Sequence, residues 1–177
     1  MPAVIAALLA AAAAIYFFVI RARNAAEMTH ELMDVASDVA AAARRFGFRR
    51  RYDMHPVDSI DDPDIALAGV AVSFLEVGGS PSRQTWDALS VRLQSQLGIN
   101  KADAQELIVL GRWLMNECGT PGAAVTRMSK KLYSLRGATA VEPLMIVIKG
   151  ALTAGGDSLT DAQRDALEDI QRRLRVA

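Results

Sequence analysis

A single cysteine, Cys118, rules out an internal disulfide and leaves no thiolate set for a metal cluster. A lone thiol also suits a reducing compartment. Histidine is almost as scarce: His30 and His55 are the only two, and both precede the region with the strongest helical patterning. Charge of one sign is lacking as well. Twenty basic residues balance twenty acidic ones, which argues against a dedicated nucleic-acid binder, whose domain is usually clearly basic. There is no phosphate-binding loop and no dinucleotide fingerprint, because the Gly-Gly pairs lack a preceding strand and a downstream lysine. No stretch alternates with a period of two. These absences leave no recognisable catalytic constellation, and the chain reads as non-enzymatic, with no cofactor.

Long apolar runs are present. From Ala3 to Ile20 there is no charged or strongly polar side chain, and as a helix this run would measure roughly 27 Å, close to a bilayer's hydrocarbon thickness. Tyr16, Phe17 and Phe18 sit at its end, where aromatic rings favour the membrane interface, and Arg21 and Arg23 follow. A cleaved signal peptide carries its positive charges before the apolar stretch; here they come after it. A single-pass transmembrane anchor over residues 1–23 is the expectation. The excess of arginine after the run puts the amino terminus outside and the rest in the cytoplasm. Ala3, Ala7 and Ala11, with Ala6, Ala10 and Ala14, form small-residue ridges that would let a partner membrane helix approach closely, although alanine is simply common here.

Residues 24–63 read as a juxtamembrane amphipathic helix and a linker. Met28, Leu32, Val35, Val39, Ala42 and Phe46 line one apolar stripe, suited to packing against the domain or another subunit. Arg44, Arg45, Arg49, Arg50 and Arg51 then surround Phe46 and Phe48. A straight helix from Arg21 would carry Arg44 roughly 35 Å from the membrane, so lipid contact needs a bend. A solvated, topology-setting charge run or a docking site for an acidic protein fits the cluster better. Met54 to Pro63 is turn-rich and non-periodic, as a linker would be.

From Asp64 to the end, punctuation predicts about six helices. Pro63 opens an uncharged core helix that Gly78-Gly79 stops; Ser80 and Pro81 start the next, which ends at Gly98. Asn100 caps a third and Thr120-Pro121 a fourth, terminated by Gly137. A fifth spans about Ala140–Ala154, and Thr160 with Gln163 forms a capping box for the last. The fold class is all-α. Trp86 and Trp113 fit core or hairpin contacts. Arg127, Lys130 and Lys131 form a basic face on the fourth helix, a candidate protein-binding surface.

Leu75-Glu76-Val77-Gly78-Gly79, then Asp87-Ala88-Leu89, is echoed by Leu152-Thr153-Ala154-Gly155-Gly156, then Asp165-Ala166-Leu167. Each copy is an apolar helix, a glycine corner and a capped amphipathic helix, which predicts a pseudo-repeated helical hairpin. Over residues 64–177 this order resembles the TerB-like domain of tellurite-resistance proteins and of the region behind the membrane anchor in DjlA-type co-chaperones. No J domain follows, and His55-Pro56-Val57 departs from the His-Pro-Asp motif, so co-chaperone activity does not transfer. The resemblance implies a bacterial inner-membrane protein. It also implies a remote alternative, divalent-metal binding in a stress response, for which only Asp157 and Asp161 are candidates. Hard cations want six or more oxygen ligands, several of them carboxylates. The residues together predict a membrane-anchored adaptor with an unidentified protein partner and no nucleic acid, or else an accessory subunit or assembly factor of a larger membrane complex.

Overall fold

The computed structural model describes residues 37–156 and 158–175. The anchor expected at Ala3–Ile20, with its alanine ridges, lies outside them, as do Met28, Leu32 and Val35 of the apolar stripe. The described residues form helices joined by turns and short irregular links, with no strand among them. Six helices follow a helical stretch at residues 37–45: α1 (Pro63–Val77), α2 (Arg83–Leu97), α3 (Lys101–Glu117), α4 (Pro121–Arg136), α5 (Val141–Gly155) and α6 (Asp161–Arg175).

Helix α1 is the centre. Pro63 occupies a first-turn position, and Asp62 caps the helix by accepting from the Asp64 N–H at 2.8 Å. Every residue from Ile65 to Leu75 is buried, as expected of an uncharged helix with no polar side to turn outward. Its one core hydroxyl is satisfied internally: Ser73 Oγ donates to Gly69 O at 2.8 Å. Helices α3 and α4 pack along most of α1, with α5 and α6 covering the remainder, while α2 lies on α5 and α3. At the α1–α3 crossing a Cβ on Gly111 would stand 3.3 Å from Gly69 Cα and 3.2 Å from Val72 Cγ2, so the two backbones nearly touch.

The caps fall where short-range chemistry puts them. Asn100 accepts from Asp103 N at 2.9 Å and Thr120 from Ala123 N at 3.2 Å. Thr160 Oγ1 accepts from Gln163 N at 3.2 Å while Gln163 Oε1 accepts from Thr160 N at 3.2 Å, completing the capping box. One start differs from expectation. Helix α2 is capped by Ser82, not Ser80, because Ser82 Oγ takes the Thr85 N–H at 3.1 Å and also pairs with the Thr85 hydroxyl at 2.8 Å. Ser80 and Pro81 therefore belong to the corner, which turns through Gly79 at φ 113°, a left-handed conformation costly to a side chain. A short 3-10 helix, Gly137–Ala140, precedes α5.

The expected linker is part of the body. Pro56–Ser59 forms a 3-10 helix whose Val57 is fully buried, as is Ile60 just after it. Upstream, Ala42 is fully buried, and Val39, Phe46 and Phe48 pack on the core. The compact unit accordingly begins at Val39 rather than at Asp64. The turn-forming residues of 54–63 are real, but two apolar side chains among them decide which way the turn faces. Within the described residues, Pro121–Gly155 is long and apolar enough to cross a bilayer, at mean hydropathy 1.3. It is nevertheless broken at Gly137 and supplies core residues from Ala124 to Leu152.

Candidate functional site

Helix α4 divides cleanly into two faces. Ala124, Val125, Met128, Ser129 and Leu132 turn inward, which leaves Ala123, Thr126, Arg127, Lys130, Lys131 and Ser134 along the outer face at alternating spacings of three and one. That outer face is one wall of a groove of about 780 Å³. His55 and Asp58 from the 3-10 turn, Cys118 at the end of α3 and Arg173 of α6 form the rest. The three basic residues named from sequence on α4 thus share one cleft, and Arg173 joins them. Four cationic side chains line it against a single carboxylate, Asp58.

Its charges are partly committed. Asp58 is ion-paired with Arg127, and the Asp58 backbone oxygen accepts from Lys131 Nζ at 2.9 Å. Arg173 Nε donates to Asp169 at 2.8 Å, and Thr126 Oγ1 donates to the same oxygen at 3.1 Å. The Arg173 hydrogen bond holds the Asp169 carboxyl below the usual carboxylate range, against the opposing effect of burial and with help from Thr126. Lys130 is exposed and has no ion pair or hydrogen bond among the described residues.

His55 and Cys118 meet here although 63 residues of chain separate them, which no local pattern in the sequence indicates. They do not form a nucleophile–base pair. His55 Nδ1 accepts from Val57 N at 3.2 Å and Nε2 lies 3.2 Å from Glu117 O, a set that fixes the proton on Nε2 and leaves neither nitrogen for the thiol. Burial pushes the Cys118 thiol up, with Arg127 opposing, so the thiolate is disfavoured.

The arginine cluster is placed differently. Arg45 bridges Asp103 at 2.9 Å and Glu106 at 3.0 Å on α3. Arg50 reaches Glu117 at 3.6 Å and lies over the Trp113 ring at 5.8 Å, where Phe48 also packs edge-on. Arg51 pairs with Asp61 at 3.6 Å, and its backbone N–H donates to Ser59 Oγ. Three of the five charges are thus spent fastening residues 45–51 to the domain. Arg44 and Arg49 are exposed and carry no ion pair among the described residues. Trp86 plays a similar role to Trp113: Arg112 stacks on it at 4.0 Å while pairing with Glu76 at 3.7 Å, tying α1, α2 and α3 together.

A second cleft, about 290 Å³, lies where the two echoed corners face each other. Gly78, Gly79, Ser80 and Thr85 of one corner meet Leu152, Gly156, Thr160 and Gln163 of the other. The exchange is mutual. Gln163 Nε2 points at Phe74 O and Leu75 O at the end of α1, 3.4 and 3.5 Å away, and Gln84 Nε2 donates to Ala154 O at the end of α5 at 2.8 Å. Gly78 has no room for a side chain because the Gln163 carboxamide occupies the space. Of the metal candidates, Asp161 is almost wholly exposed and ion-paired with Arg164, and Asp157 lies outside the described residues. Among the described residues no three histidine, cysteine or acidic side chains are grouped to hold a metal.

No protein-family model, curated protein or solved structure matches this chain.

Proposed function

We propose that the chain is an adaptor of the bacterial inner membrane. Its apolar residues 3–20 would anchor a TerB-like helical domain on the cytoplasmic side, and that domain would hold a soluble protein partner. The observation that carries this reading is the α4 groove. It gathers Arg127, Lys130, Lys131 and Arg173 in one open cleft, whereas Arg45, Arg50 and Arg51 are turned back onto the domain. The two mutually bonded corners support the TerB-like resemblance, since the sequence echo corresponds to neighbouring, similarly capped hairpins. Orientation is supported by the arginines that follow the apolar run.

The test is to replace residues 3–20 with an unrelated transmembrane helix and recover the tagged protein in mild detergent. Capture of the same partner by native and exchanged chains supports the adaptor. Loss of capture by a chain that still inserts replaces it with the accessory-subunit reading, in which the anchor itself does the binding. A reporter fused after Ala177 that is active only outside the cytoplasm would overturn the orientation.

A further inference from the structure

We propose that the α4 groove takes an acidic peptide segment, and that the Asp58 carboxylate is the chain's own occupant of that site, displaced when the segment binds. The proposal rests on the adaptor reading and specifies its partner's chemistry.

Asp58 projects from the 3-10 turn between two fully buried anchors, Val57 and Ile60, so the turn backbone is fixed by the core and not by the ion pair. The side chain itself is 47% exposed. A single exposed pair of this kind is weak enough for a multivalent ligand to displace. The Asp58 carboxylate engages Arg127, while Lys131, one helical turn on, is held by the Asp58 backbone oxygen, which stays with the turn. The carboxylate–Arg127 pair is the contact that a bound acidic residue would reproduce. Arg173, across the groove, is likewise satisfied by a carboxylate, that of Asp169.

The layout selects a peptide. The cations stand on two walls of the groove, Arg127, Lys130 and Lys131 on α4 and Arg173 on α6, a spread that a chain of carboxylates meets better than a single phosphate does. The lining contains no Trp, Tyr or Phe ring on which a nucleobase could stack; its one ring, the His55 imidazole, is engaged at both nitrogens, and the two tryptophans already carry Arg50 and Arg112. The apolar residues of the lining are small, Ala123, Gly122 and Cys118, so no large apolar side chain is offered as an anchor. Attraction here is electrostatic, set by Lys130 and by Arg127, the cation that the Asp58 carboxylate releases.

The experiment uses the full chain in mild detergent and a fluorescein-labelled oligoglutamate peptide, read by anisotropy at low ionic strength. Wild type binds, and raising the salt weakens binding as the Debye length shortens. Lys130→Gln with Lys131→Gln weakens it about tenfold, and Asp58→Asn strengthens it about threefold, as expected for one exposed pair removed from competition. Asp58→Glu, which keeps the competing carboxylate, stays near wild type. Thermal melts confirm that each variant is folded. Weakening by Asp58→Asn in a folded protein overturns the displacement, because Asp58 would then only shape the groove. Tighter binding of an oligouridylate RNA than of the peptide, or no peptide binding at all, overturns the ligand class. Should the natural partner still be captured by the double lysine variant, the groove proposal falls while the adaptor reading stands.

Discussion

Gly111 and Asp169 show how much a single atom decides in this domain. At Gly111 the added methyl of an alanine would sit 3.3 Å from the Gly69 α-carbon and 3.2 Å from Val72, and neither neighbour can swing away as a flexible side chain would. Gly69 in turn is covered by the Met128 side chain, which packs directly on it. Gly111→Ala should therefore destabilise by about 1–3 kcal/mol through overpacking, outweighing alanine's better helix propensity of about 1 kcal/mol, as read by urea unfolding. At Asp169 the test is pH. Its folded pKa is lowered, chiefly by Arg173, so its stabilising contribution is present above the unfolded carboxylate pKa and is lost as pH falls through the folded value. Asp169→Asn should cost about 0.5–1 kcal/mol near neutral pH, and the gap from wild type should close only in acid, below the ordinary carboxylate range. A gap that persists unchanged in acid would mean that the contact matters for shape and not for charge.

Among the elements, what could be read from sequence was what the chain decides within four residues. Asn100, Thr120 and Thr160 each bond a backbone N–H three positions on, and those starts are visible in the residues themselves, as the start of α1 is in Pro63. The same short reach explains the misplaced start of α2. Ser80 and Ser82 both precede a helical pattern, and only Ser82 has a threonine three residues later to share its hydroxyl. The corners were legible as an echo but not as partners, because Gln163 reaches carbonyls 88 and 89 positions earlier. This gives Gln163 two duties, closing its own capping box and facing the end of α1. Thr160→Ala should cost about 1 kcal/mol, the ordinary loss of a cap. Gln163→Leu should cost more, about 2–3 kcal/mol, since it removes the box and leaves buried polar groups unserved. Equal losses in denaturant titrations would show that the contact between corners contributes nothing.

For the molecule as a whole, the boundary of the domain matters most, and it is the feature that local reading could not supply. The groove, the His55–Cys118 proximity and the salt bridges from Arg45 to α3 all join residues about sixty or more positions apart. Propensity and periodicity carry no information at that range, so an acid- and turn-rich stretch reads as linker even while it packs inside. Its packing has a calculable consequence. Fully burying Val57, Ile60 and Ala42, with part of Phe48, is worth on the order of 5 kcal/mol, comparable with the lower end of an entire domain's stability. A chain beginning at residue 64 loses that burial, uncovers the faces of α3 and α4 that the segment covers, and loses the Asp58 wall of the groove. A chain beginning at residue 39 keeps all three. The shorter chain should bind a hydrophobic dye and melt broadly or aggregate, whereas the longer one should unfold in a single cooperative transition. If both melt alike and cooperatively, residues 39–63 are ornament on a self-sufficient bundle, and the groove they complete loses its claim to be built in.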